Sequence, residues 1–214
     1  ETRLSYRVEF PAGTHGAGGE RLVERAPSGA SADVPLQWSD VVRDASGSWK
    51  SATLNFIASL EPGQRRAFAL VRSSDVAAVS EAGVTVEEHG DVFELRSDSL
   101  SVRVPKSRSF NDADDVVGPV AGVARGARWL GTSKLRVEGM RVERLETRVI
   151  DRGPVFATVQ LVYRFAGGAI YTASVRVTAR YQHFELVDRM EGFADEAAAA
   201  VEMEWRDFAP ARRF

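Results

Sequence analysis

The feature that most constrains this chain is a two-residue alternation of apolar and polar side chains on either side of a Gly-Gly pair. Val155, Ala157, Val159, Leu161, Tyr163 and Phe165 form one series, and Thr158, Gln160 and Arg164 fall in the other. After Ala166-Gly167-Gly168-Ala169 the apolar series resumes at Tyr171, Ala173, Val175, Val177 and Ala179. Thr172, Ser174, Arg176, Thr178 and Arg180 take the polar side. A helix repeats every 3.6 residues and would scatter these side chains around its surface. A strand repeats every two and sorts them onto two faces. Glycine tolerates the positive φ of a tight turn, so the segment reads as one long β-hairpin.

The same alternation marks further strands. His183–Glu191 sets Phe184, Leu186 and Met190 against His183, Glu185, Arg189 and Glu191. Val201–Arg206 sets Val201, Met203 and Trp205 against Glu202, Glu204 and Arg206, so Trp205 reads as core. Leu4–Phe10, Ser51–Leu60, Arg66–Val71, Val84–Glu88, Val92–Arg96 and Leu100–Val104 are strands by the same rule. Val137–Ile150 fits either period; its β-branched residues favour a strand with a bulge. Ala194–Ala200 has helix propensity but is too short for a stable helix, so a loop or one helical turn is expected. Gly13–Gly19 and Lys106–Asp115 read as loops. Ser, Asp and Ala residues interrupt the pattern near Arg72–Glu81. The expected organisation is an N-terminal β-subdomain over residues 1–75 and an antiparallel β-sandwich over residues 76–214. The expected class is all-β, supersandwich-like, with few or no helices.

Composition narrows the function classes. A chain of 214 residues can bury roughly 70% of its unfolded surface without staples. The formal net charge of −2 gives no basic excess for phosphate backbones, which argues against nucleic-acid binding. Lysine occurs only at Lys50, Lys106 and Lys134, so the basic side chains are almost all Arg, which recognises planar acidic groups. The absence of Cys removes disulfides, thiolate nucleophiles and Cys-based metal sites. No apolar run approaches the about 18 residues a transmembrane helix needs, so no membrane partner is expected. The chain begins at Glu1, not Met, which fits removal of a leader or trimming. A secreted or periplasmic location is the expectation.

No P-loop, dinucleotide fingerprint or paired metal-binding His motif is present. Asn111, Asp112, Asp114 and Asp115 offer oxygens to Ca²⁺ but lack the Gly and distal Glu of an EF-hand loop. No cofactor is expected; Ca²⁺ is the one alternative. Glu185 with Glu191, and Glu202 with Glu204, are the carboxylate pairs that alternation provides for glycoside hydrolysis. Alternating charges on a solvated strand face are the commoner explanation, and neither pair rises above it. Trp129 follows Arg128 and precedes Leu130-Gly131-Thr132-Ser133 in a turn-like setting. An exposed indole there suits the apolar C–H face of a sugar. His183, on a polar strand face, is a candidate polar contact. Trp129, Arg128 and His183 are therefore the candidate substrate-binding residues, and no catalytic residue can be named.

Val34-Pro35-Leu36-Gln37-Trp38-Ser39-Asp40, Gly47-Ser48-Trp49-Lys50-Ser51-Ala52-Thr53-Leu54-Asn55-Phe56 and Leu60-Glu61-Pro62-Gly63 together resemble a known pattern. It is that of the N-terminal β-domain of bacterial polysaccharide-degrading enzymes of the exo-rhamnogalacturonan lyase-like type. Gly153-Pro154-Val155-Phe156-Ala157-Thr158-Val159, Tyr163-Arg164-Phe165 and the Gly-Gly hairpin are similar to the galactose-mutarotase-like supersandwich of glycoside hydrolases and polysaccharide lyases. The resemblance implies the β part of a carbohydrate-active enzyme. Its partners would be a polysaccharide or oligosaccharide and a C-terminal helical (α/α) toroid, in the same polypeptide or a partner chain. The alternatives are a non-catalytic carbohydrate-binding module and a structural or assembly domain.

Overall fold

The computed structural model describes residues 1–13, 19–26, 28–72, 83–111, 116–193 and 199–205. Among the described residues there is no helix, and the chain is an all-β assembly of antiparallel, sandwich-like sheets. It divides into two compact units. Unit 1 is Glu1–Gly83 together with Gly153–Val155, and unit 2 is the remainder. The boundary expected after residue 75 falls in 73–82, outside the described residues.

Unit 1 holds β1 (Thr2–Glu9), β2 (Glu20–Arg25), β3 (Ser31–Val34), β4 (Leu36–Arg43), β5 (Trp49–Ala58) and β6 (Ala67–Arg72). They form two three-stranded sheets, β1-β5-β4 and β3-β2-β6. Leu22, Leu54, Phe56 and Ala58 make the core, with Leu4, Leu36, Trp38 and Phe68 packed around them. Gly153 cannot carry a side chain, because a Cβ there would sit 2.4 Å from Gln37 Cδ. Buried Gln37 Oε1 accepts the Val155 N–H at 3.1 Å. A buried amide oxygen left unpaired would be costly, so this bond fixes the local path of the Gly-Pro-Val segment.

Unit 2 holds β7 (Thr85–His89), β8 (Val92–Arg96), β9 (Ser101–Pro105), β10 (Arg108–Ser109), β11 (Gly122–Arg125), β12 (Arg128–Val137), β13 (Val142–Asp151), β14 (Phe156–Phe165), β15 (Ile170–Thr178), β16 (Phe184–Glu191) and β17 (Ala199–Trp205). One sheet has the order β17-β12-β11-β9-β8-β7, the other β10-β13-β14-β15-β16.

The hairpin read from alternation is β14–β15, in unbroken register from Phe156↔Thr178 to Arg164↔Ile170. Gly167 and Gly168 take φ of +89° and +91° in its turn. Val159, Leu161, Tyr163, Phe165, Tyr171, Ala173, Val175 and Val177 are all buried. Each large aliphatic side chain removed from water there contributes about 1.5 to 3 kcal/mol. The two buried phenols are satisfied: Tyr163 donates to Val117 O at 3.0 Å, and Tyr171 to Asp188 Oδ2 at 3.2 Å. Burial pushes both phenols well above their ordinary pKa.

Several expectations need correction. The Trp129–Ser133 stretch is not a turn but the first half of the ten-residue strand β12. Val137–Ile150 is not one strand: Val137 ends β12, Gly139 turns the chain at φ +70°, and β13 begins at Val142. Two register shifts then bend β13 against β14, so the bulge lies within the shorter strand. Lys106–Asp115 contains the short strand β10. Trp205 shares a face with Met203 as read, but β17 is an edge strand and the indole is 44% exposed. Residues 194–198 of the Ala-rich stretch lie outside the described residues, and Ala199 opens β17.

Candidate functional site

The geometry around Trp129 begins with a two-residue turn. Arg125 pairs with Arg128 across Gly126-Ala127, and Gly126 has φ +64°, as such a hairpin requires. The register then slips. Ala124 pairs with Trp129, but Val123 pairs with Gly131, so Leu130 has no counterpart on β11. One extra residue inverts the facing of everything beyond it. Trp129 therefore lies on the Gly122 and Ala124 side of the sheet, while Gly131 lies on the opposite side beneath Trp205.

Gly122 makes room for the indole. A Cβ at Gly122 would be 2.8 Å from Trp129 Cε3. On the neighbouring strand, Arg103 pairs with Gly122 and stacks its guanidinium 3.7 Å from the Trp129 ring centroid. Cation–π stacking of this kind contributes about 0.5 to 2 kcal/mol, depending on desolvation. Arg103 is aimed by Glu94, which pairs with it across β8–β9: Arg103 Nε donates to Glu94 Oε2 at 3.1 Å. Arg96 Nη2 donates to the other carboxylate oxygen, Oε1. Glu94 is 2% exposed. Burial pushes its carboxyl up, but the hydrogen bonds and charges of Arg96 and Arg103 outweigh that and hold it below the ordinary carboxylate value. The result is a layered cluster: Gly122 backbone, indole, guanidinium, buried carboxylate.

Three turns meet at this end of unit 2. Arg125 Nη2 donates to Gln182 Oε1 at 3.3 Å, joining the β11–β12 hairpin to the β15–β16 turn. Ser99 Oγ donates to Tyr181 O at 2.8 Å, and Arg180 N donates to Asp98 Oδ1 at 3.2 Å, joining the β8–β9 turn as well. Arg180 has φ +64°, a conformation costing a non-glycine residue of order 1 kcal/mol and held here by the Asp98 bond. The Tyr181 and His183 rings lie against each other, 5.1 Å apart and tilted by 36°.

The three sequence candidates lie at the same end of unit 2 but do not share one face. Arg128 pairs with Arg125, whose side chain reaches Gln182 beside His183, whereas Trp129, the next residue, faces the other side of the sheet. Their settings differ from those expected. Trp129 is half-buried, with one indole face taken by Arg103, so it is a ledge and not an open platform. His183 precedes β16 in a bend and belongs to the turn. Glu94, Arg96, Arg103 and Tyr181 were not singled out from sequence. Only the β8–β9 register could have flagged Glu94 opposite Arg103.

The carboxylate pairs fare differently. Glu185 and Glu191 lie six residues apart on β16, about 20 Å along a strand. That exceeds the roughly 5 to 9.5 Å a glycosidase pair spans. Glu202 lies beside Arg136, 3.1 Å away. Besides Glu94, the carboxyls of Glu24, Glu88 and Glu146 are held below the ordinary value by hydrogen bonds from Arg66, Lys106 and Arg164 respectively. Of the suggested calcium residues, Asn111 is exposed, and Asp112, Asp114 and Asp115 lie outside the described residues. Among the described residues no group of three or more His, Asp and Glu could hold a metal ion, and no helix is long and apolar enough to cross a membrane. No protein-family model matches the chain, and no curated protein matches it.

Proposed function

We propose that this chain is the β-sandwich portion of a carbohydrate-active enzyme, a glycoside hydrolase or polysaccharide lyase, and that it contributes a saccharide-binding surface. The reading rests on the resemblance of the sequence to the β-rich half of such enzymes. The observation that carries it to particular residues is the gathering of Trp129, Arg128, Tyr181 and His183 at one end of unit 2. The part of the Trp129 indole that Gly122 and Arg103 leave exposed offers an apolar edge to sugar C–H groups, and Arg128 and His183, at the same end of the unit, offer donors to sugar oxygens further along the chain of a bound saccharide. A helical toroid would complete the cleft, in a secreted or periplasmic setting.

Glu94, which hydrogen-bonds Arg103 behind Trp129, is held low by its two arginines, which suits it to positioning Arg103 and not to donating a proton. A second reading is a non-catalytic carbohydrate-binding module, which needs that surface alone.

Binding of the chain to a panel of plant and bacterial polysaccharides tests both. Trp129→Ala should weaken binding at least about tenfold, the scale of a lost aromatic contact. Absence of binding to every polysaccharide, or unchanged affinity in the variant, would remove this surface from the proposal. Cleavage of a bound polysaccharide by the isolated chain would decide for the enzyme and against the module.

A further inference from the structure

The last strand of the five-stranded sheet has an edge that suits a second copy of itself. Among the described residues, β16 pairs with β15 alone, in unbroken register over eight positions. Edge strands are ordinarily protected by proline, bulges or charged side chains, lysine above all. Phe184-Glu185-Leu186-Val187-Asp188-Arg189-Met190-Glu191 has no proline, lysine or bulge, and its charges are of both signs, so a copy of itself can match them. At its centre Val187 is 67% exposed, the most exposed of the large apolar residues described.

On the face that carries Val187, Glu185 and Arg189 stand as opposite charges equally spaced about it. In a two-fold antiparallel pairing, Val187 meets Val187 of the second copy and Glu185 meets Arg189. His183, just before the strand, meets Glu191. On the opposite face Phe184 meets Met190, itself 40% exposed. Asp188 meets Leu186, and its Oδ2 already accepts from Tyr171 within its own sandwich. Neighbouring registers lose this match. Centring on Asp188 opposes Asp188 to itself and Glu185 to Glu191, and centring on Leu186 opposes Arg189 to His183.

We infer that β16 is a self-association edge, pairing antiparallel with β16 of a second copy about a two-fold axis at Val187 and joining two five-stranded sheets into one. The seam extends ion pairs that each copy already forms. Arg176 lies 3.8 Å from Glu185, and Arg189 lies 2.9 Å from Glu191. Across the axis they become a ladder of alternating charge, Arg176–Glu185 followed by Arg189–Glu191 of the second copy. Opposite charges facing each other across a strand pair stabilise it and like charges destabilise it. An isologous interface uses each such pair twice. This inference does not rest on the saccharide-binding reading, although His183 borders both surfaces.

Sedimentation equilibrium of the full chain across a wide range of concentration tests it. The wild type should show a monomer–dimer equilibrium. Glu185→Arg and Arg189→Glu should each weaken dimerisation by about tenfold or more, because each reversal sets like charges together at two symmetric places. The double exchange should restore the dimer although both internal ion pairs are lost, an outcome that a merely structural role would not produce. Val187→Lys, which opposes two ammonium groups on the axis, should abolish the dimer while leaving the far-ultraviolet circular dichroism of the monomer unchanged. A wild type that stays monomeric at every concentration, a dimer indifferent to the single exchanges, or a double exchange without recovery would overturn the proposal.

Discussion

The β14–β15 and β11–β12 hairpins are built from the same motif and do different things. The first keeps one register over nine residue pairs and buries a whole face of apolar side chains. The second slips by a residue at Val123/Ala124 and uses Gly122 and Gly131 to seat two indoles on opposite faces. The regular hairpin stabilises the sandwich. The irregular one brings a tryptophan, a guanidinium and a buried carboxylate together. Regular alternation builds the scaffold, and its interruption re-aims a side chain toward chemistry.

Substitutions should separate the two roles. Leu161→Ala, in the regular hairpin, should cost about 2 to 5 kcal/mol of stability through lost burial and the cavity left behind. Denaturant unfolding would measure it, and polysaccharide binding by the remaining folded protein should be unchanged. Gly122→Ala should cost about 1 to 3 kcal/mol by overpacking against the indole. It should also shift the Trp129 fluorescence and weaken binding, which Leu161→Ala should not do. A Gly122→Ala protein with unaltered fluorescence and stability would show that the indole has room to move.

Glu94→Gln should have a smaller effect, about 1 kcal/mol, because the Arg96 and Arg103 it releases can reach water. Its pH dependence is distinctive. The Glu94 carboxyl is held lower in the folded chain than in the unfolded one. Its stabilising contribution is therefore fully present above the unfolded value, near pH 4.5, and is lost as pH falls through the folded value. The stability difference between wild type and Glu94→Gln should be constant at neutral pH and vanish in acid. Glu146, half-buried on β13, is also held low, chiefly by its hydrogen bond to Arg164. Glu146→Gln should leave the thermal midpoint within error of the wild type, since solvent screens that pair.

How much of this was legible depends on how regular the backbone is. The strand ranges around Val92–Arg96 and Leu100–Val104 were readable from alternation, and β8 and β9 lie there. β12 was not readable, because Gly131 and the slipped Leu130 break the period where Trp129 sits. Trp129 was chosen for its chemistry, in a setting that proved to be a strand. Glu94 carried no sequence signal of its own: a lone Glu in an alternating strand is ordinary until Arg103 is known to lie opposite it.

Sequence by itself determined the all-β class, the β14–β15 hairpin with both faces and its glycine turn, and most of the strands. These are local properties, set by a two-residue period and by the φ that glycine allows. Tertiary structure decided which strands became neighbours. It placed β12 beside β17, more than sixty residues further along the chain, and tied the Arg125 hairpin to the Gln182 turn. Such pairings depend on register and packing between segments distant in sequence, which a local period does not encode. The same physics buries Glu94 under two arginines and leaves Val187 on an open edge, although both residues belong to strands of the same alternating kind.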